Sequence, residues 1–152
     1  MKNNLNKSQI ERYSRQIILK NVGTFGQKKI INSKVLIIGA GGLGCTIADY
    51  LSRAGVGTIG IADFDKINLS NIHRQNLYNS KDIGKFKVDV AKQKIKSINP
   101  LTKIITYKKK ILDKELNKIT KKYDIIVDGS DNFKTKFIIN KYSVKYKKIL
   151  VV

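Results

Sequence analysis

One cysteine, one proline, one histidine and no tryptophan occur among 152 residues, and only 11 side chains are acidic. A single thiol excludes a disulfide framework and any zinc site built on several thiolates, so zinc is not expected, and it fits a reducing compartment. Long hydrophobic runs are absent as well. The longest apolar stretch, residues 35–48, is interrupted by Gly39, Gly41, Gly42 and Gly44 and is too short to span a bilayer. The polar start through Arg15 holds no apolar segment that could serve as a secretory signal. These absences lead us to expect a cytoplasmic protein, or one in an equivalent reducing organelle interior, with no membrane partner.

What is abundant is positive charge. Lysine and arginine total 31, giving a formal net charge of +20, and only Arg12, Arg15, Arg53 and Arg74 are arginine. Lysine supplies the rest and is spread along the whole chain together with many Ile and Asn residues. That distribution reads as compositional bias, since specific nucleic-acid binders concentrate charge in one patch with arginine and interleaved aromatics. Specific nucleic-acid binding is therefore not expected; the charge favours phosphate-bearing ligands and acidic partners. A hydrophobic fraction of 41% is enough for a folded domain of ordinary size.

Along the chain, Ser8 and Glu11 have the spacing of a capping box at the start of a helix, with Ile10, Ile17 and Ile18 as its buried stripe. Arg12 and Arg15 fall on one face of that helix. Gly23 and Gly26 interrupt the pattern before a short helix over 27–31. Strands and helices then alternate. Strands are predicted at 35–38, 58–62, 103–107, 123–128 and 149–152. Helices are predicted at 43–53, 85–98, 112–121 and 133–146, and a polar loop covers 65–80. The 103–107 strand is the most polar and belongs nearer an edge. Interleaving of this kind specifies a doubly wound α/β fold, a mostly parallel Rossmann-like sheet built from right-handed crossovers. Residues 1–33 form an N-terminal helical segment and 34–152 one sheet domain. The chain stops on a buried-strand sequence, Ile149-Leu150-Val151-Val152, and looks cut short, with the C-terminal part of such a domain absent.

Gly39-Ala40-Gly41-Gly42-Leu43-Gly44 satisfies G-x-G-x-x-G between a strand and a helix. Glycines let the backbone approach a phosphate, and the helix start offers free N–H groups. Asp63, at the end of the second strand, is placed to accept hydrogen bonds from ribose hydroxyls, with Asp65 as a competitor. So far NAD, FAD and ATP fit equally. Arg74 and Lys87 are candidates for a phosphate clamp, and Asp131 is the candidate Mg²⁺ carboxylate. In so lysine-rich a chain, a retained arginine at 74 points to a need for a planar guanidinium fork. Cys45 is expected to be a small buried residue packing helix on sheet, and His73 a loop residue.

Arg12-Tyr13-Ser14-Arg15-Gln16, the Gly39–Gly44 loop, Ala54-Gly55-Val56-Gly57, Asp63-Phe64-Asp65, Leu69-Ser70-Asn71 through Arg74-Gln75, Gly84-Lys85-Phe86-Lys87 and Asp128-Gly129-Ser130-Asp131-Asn132 follow in order. Together they resemble the ThiF/MoeB/HesA family, relatives of ubiquitin-activating enzymes. The resemblance implies a dimeric enzyme using ATP and Mg²⁺ to adenylate the C-terminal glycine carboxylate of a ubiquitin-like sulfur-carrier protein, in thiamine or molybdopterin synthesis. It implies that Gly42, Asp63, Ser70, Asn71, Arg74, Lys87, Asp131 and Asn132 contact ATP. It also implies that Arg15 reaches the phosphates of a neighbouring subunit. Missing against the family pattern are the later strands, a crossover cysteine and the paired CxxC zinc site. The alternative expectation is a shortened, inactive module that retains ATP or partner binding.

Overall fold

The computed structural model describes residues 5–152; the first four residues of the polar start lie outside the described residues. Five strands, β1 (Lys34–Ile38), β2 (Thr58–Ala62), β3 (Lys103–Tyr107), β4 (Ile125–Asp128) and β5 (Ile149–Val151), form one sheet in the order β3-β2-β1-β4-β5. Every pairing is parallel. The connections carry α4 (Gly42–Ala54), α5 (Lys87–Ile98), α6 (Asp113–Ile119) and α7 (Phe133–Lys145).

Alternation along the central strand explains the two layers of helices. Val35 and Ile37 point to the face covered by α4 and α5, where they join Cys45, Ala48, Val88, Ala91 and Ile95. Leu36 and Ile38 point to the other face and pack with Leu116, Ile119, Ile139 and Tyr142 from α6 and α7. A strand buried on both sides must be apolar, which is why β1 reads as an unbroken hydrophobic run from Val35 to Ile38, after the exposed Lys34. The more polar β3 is an edge strand, as expected.

Ahead of the sheet lie α1 (Lys7–Arg12), α2 (Ser14–Ile17) and α3 (Gly23–Asn32). This segment differs from the sequence reading in three ways. The capping box is made by Asn6 and Gln9, not Ser8 and Glu11. The helix breaks at Tyr13, because that ring turns inward and its hydroxyl accepts from Asn99 Nδ2 at 2.9 Å. Ile10 and Ile18 are consequently exposed, the latter 71%, and form no buried stripe. The break also parts the two arginines, and Arg12 donates to the Ile98 carbonyl at the end of α5. The third helix runs longer than the 27–31 expected. The segment is tied down by polar contacts: Gln16 and Gln27 both donate to the Ala54 carbonyl, and Gln16 also donates to Gln27.

The last strand carries little cover among the described residues. Ile149 and Val151 are exposed despite their buried-strand chemistry, and Phe133 and Phe137 stand out on the adjoining helix. Lys147, in the turn between α7 and β5, has a φ of 51°, the left-handed region usually left to glycine.

Cys45 packs against the sheet as expected, its thiol donating to the Ala40 carbonyl at 3.2 Å. Burial pushes the thiol up to about 11 from an ordinary value of 9.0, outweighing the hydrogen bonds from Tyr78 and the Leu77 backbone and the neighbouring charge of Lys87.

Two outcomes follow from this packing. Asn99→Ala leaves Tyr13 and the Ser52 carbonyl without their buried donor, and should lower unfolding free energy by about 2 kcal/mol in urea titration. The native Cys45 thiol should resist maleimide at pH 8 and react once urea unfolds the chain. Its raised folded value favours folding fully below pH 9.0. That contribution should fade as pH climbs through about 11, because only the unfolded state releases the proton in between.

Candidate nucleotide site

In an open parallel sheet, ligands sit where neighbouring connections leave in opposite directions, beyond the carboxyl ends of the strands. Here that point lies between β1 and β4, since α4 leaves to one face and α7 to the other. A cleft of ≈ 890 Å³ opens there, bounded by the Gly39–Leu43 turn, Asp63–Asp65, Asn71 to Gln75, Lys87, Lys109 to Ile111, and Gly129 to Asn132.

The turn after β1 is fixed by space as much as by conformation. Gly39 takes a φ of 96°, with the Gly129 carbonyl against it, so no larger residue fits. A side chain on Gly44 would overlap the Gly39 carbonyl. Ala40, between them, is held from three sides. Its N–H donates to Asp63 Oδ2 at 2.7 Å, and its carbonyl accepts from Tyr78 Oη at 3.0 Å as well as from Cys45. Burial raises Tyr78 well above the ordinary phenol range, so this donor keeps its proton. The start of α4 is thus left with backbone N–H groups facing the cleft, an anion-binding arrangement.

Asp63 has a structural task beyond the one expected of it. Its other oxygen, Oδ1, accepts from the Asp65 amide at 2.8 Å. A carboxylate has further lone pairs on both oxygens, so a sugar hydroxyl can still be received. Asp65 does not compete for that place, because its Oδ2 pairs with Lys87 Nζ at 3.1 Å. Lys87 itself is 6% exposed, and a buried ammonium of this kind needs such a partner.

Arg74 is exposed and lies along Gly42, its Cγ 3.7 Å from where a side chain would start there, while Nη1 donates to the Ser70 carbonyl at 2.9 Å. Across the cleft, Asp131 presents an exposed carboxylate that accepts from Asn132 Nδ2 at 3.4 Å. Asn132 caps α7 by accepting from the Thr135 amide. Beneath them, buried Asp128 accepts from the Ser130 amide and hydroxyl and pairs with Lys136 at 3.2 Å, which shapes the loop carrying Asp131.

Gly39, Gly41, Gly42, Asp63, Asn71, Arg74, Lys87, Asp131 and Asn132 therefore share one cleft. Ser70 is not part of its wall and reaches the site only through its carbonyl. Asn71 lines the cleft, with its side-chain oxygen turned to the Asn68 amide. Arg15 is not brought near. It sits on α2, which is tied to the Ala54 end of α4, about 18 Å from the cleft at 1.5 Å per helical residue. His73 is exposed, and its ring has no hydrogen bond or ion pair among the described residues. Sequence reasoning missed Lys109 and Lys110, which no signal separates from the other lysines. It also assigned no part to Gln75, buried beside Gly41. Its Oε1 has no hydrogen-bond partner, an arrangement that costs roughly 1–3 kcal/mol.

Residues 13–152 match the ThiF family. A sulfur carrier protein adenylyltransferase from Thermus thermophilus is 39% identical over 145 residues, which is 95% of this chain and 54% of that protein. An adenylyltransferase and sulfurtransferase MOCS3 from Aedes aegypti is 42% identical over 98% of this chain and 34% of its own length. Among solved structures, E. coli MccB with AMPCPP and MccA superposes with a TM-score of 0.83 at 30% identity, covering 97% of this chain and 44% of that one. The chain thus spans about half the length, or less, of these relatives. With the match running through nearly every residue from Tyr13 onward, and the strand order, glycine turn and acidic loop in place, the chain belongs to the ThiF family.

Proposed function

We propose that this chain adenylates the C-terminal glycine carboxylate of a ubiquitin-like sulfur-carrier protein, of the thiamine or molybdopterin kind, at the expense of ATP. The observation that carries the reading is the convergence of Arg74, Lys87 and Asp131 on one cleft over the glycine turn. Two cations and a free carboxylate suit three phosphates and a divalent ion, whereas a redox dinucleotide needs little beyond the turn itself. The names of the relatives and the AMPCPP complex of a 30% identical neighbour point the same way.

The chemistry asks little of the protein beyond placement. A carboxylate is ionised at neutral pH, so it attacks the α-phosphorus without a general base. A new P–O bond forms to the carboxylate oxygen, the bond to the bridging oxygen of the β-phosphate breaks, and pyrophosphate leaves with the electron pair. Alignment and stabilisation of negative charge on the phosphates lower the barrier. Arg74 and Lys87 supply charge from this chain. Asp63 orients the ribose and the Gly41–Gly42 amides receive the phosphates, with Asn71 and Asn132 along the walls. In a dimer, Arg15 of the partner subunit completes the clamp, since its own chain keeps it at the far end of α4.

Asp131 is the residue to hold Mg²⁺. Among the described residues no three His, Cys, Asp or Glu side chains cluster as a ligand set. One exposed carboxylate suits an ion that takes most of its remaining ligands from water and substrate phosphates. When bound, Mg²⁺ would supply charge neutralisation on the leaving pyrophosphate.

Carrier-dependent exchange of labelled pyrophosphate into ATP tests this reading. The unaltered chain should catalyse exchange, Arg74→Ala and Lys87→Met should each lower it by about 100-fold or more, and Asp131→Asn should demand more Mg²⁺. Chelation with EDTA should abolish exchange. ATP binding without exchange would mark a nucleotide-binding module, and NAD binding indifferent to Mg²⁺ and to Arg74→Ala would sink the proposal.

A further inference from the structure

Gln75 is 2% exposed and lines the cleft, yet its carboxamide is not used by the fold. Its Oε1 is buried without a hydrogen-bond partner, and its Nε2 lies 3.9 Å from where a side chain on Gly41 would begin. Its backbone is fixed on both sides: the Gln75 amide donates to the Asn71 carbonyl, and the Gln75 carbonyl accepts from Tyr78. A rigidly held amide with an uncompensated oxygen is poor packing, because an apolar side chain of the same size would satisfy the site better. The sealed Oε1 cannot itself meet a ligand, but it fixes which end of the carboxamide can: Nε2 meets the cleft beside Gly41, and no hydrogen bond from the described residues occupies it.

We infer that Gln75 is a further substrate-contacting residue, its Nε2 donating to a non-bridging oxygen of the nucleotide's α-phosphate; this rests on the nucleotide reading above. Asp63 holds the Ala40 amide at 2.7 Å and lines the same cleft as Gly41, so a ribose received by Asp63 lies against the glycine turn, whose next residue is Gly41. Gln75 Nε2 faces that residue. Phosphate oxygens only accept, and the amide nitrogen is the end of Gln75 turned toward them. A neutral donor adds direction at the reacting phosphorus without binding the charge of the whole triphosphate. Arg74 and Lys87, as full charges, serve the remainder.

Binding by the intact 152-residue chain, measured calorimetrically with AMP and with adenosine, tests the inference. Gln75→Leu should weaken AMP by about three- to tenfold, the range of one neutral hydrogen bond, and leave adenosine unchanged. Gln75→Glu, which can only accept, should weaken AMP further. The melting temperature of Gln75→Leu should equal or exceed that of the unaltered chain, and Gln75→Met provides the same comparison if leucine does not fold. AMP affinity unchanged in Gln75→Leu overturns this inference alone. Equal loss of AMP and adenosine, or a fall in melting temperature, marks a structural residue and also overturns it. No AMP binding by the unaltered chain overturns the nucleotide reading and this inference together.

Discussion

The site depends on how one residue's main chain is held. Ala40 gives its N–H to Asp63 and takes hydrogen bonds on its carbonyl from Cys45 and Tyr78, so three separate parts of the chain meet on a residue with no functional side chain. Each bond contributes on the order of 1 kcal/mol net. Their joint effect is conformational, because the glycine turn is fixed before any ligand arrives and need not be ordered on binding. The neutral thiol and phenol belong to the same device, since a charged group there would be buried without a partner.

The sheet was legible in the sequence because parallel strands covered on both faces must be apolar along their buried length, as β1 is over 35–38, β2 over 59–62 and β4 over 125–127. The glycine turn was legible because its spacing follows from a close approach between strand and helix. The N-terminal segment was not, since its course is set by Tyr13 docking on Asn99, 86 residues away. Periodicity in a run that short says little against a buried long-range contact. The two layers of Asp63 were likewise hidden: an acid at a strand end can be read as a ribose acceptor, but its two bonds to backbone amides appear only in three dimensions. Gln75 stands within one of the motifs, but nothing in the sequence gives it a role of its own, as an unsatisfied atom is a property of packing.

Charge in this protein has two meanings. Three of the four arginines donate to particular acceptors: Arg12 to Ile98, Arg53 to Asp49 and Arg74 to Ser70. Most lysines are spread over the surface, several with their ammonium groups over aromatic rings such as Phe86, Tyr142 and Tyr146. Lys87 is the exception, buried against an aspartate within the cleft.

Lys147 shows how far the excess of lysine reaches. Its left-handed backbone costs a residue with a β-carbon about 1 kcal/mol relative to glycine. A chain that tolerates this penalty in a surface turn has accepted lysine against the preference of its own main chain. In such a background the mere presence of an ammonium group carries almost no information, and function has to be read from the positions where the surrounding atoms leave no alternative.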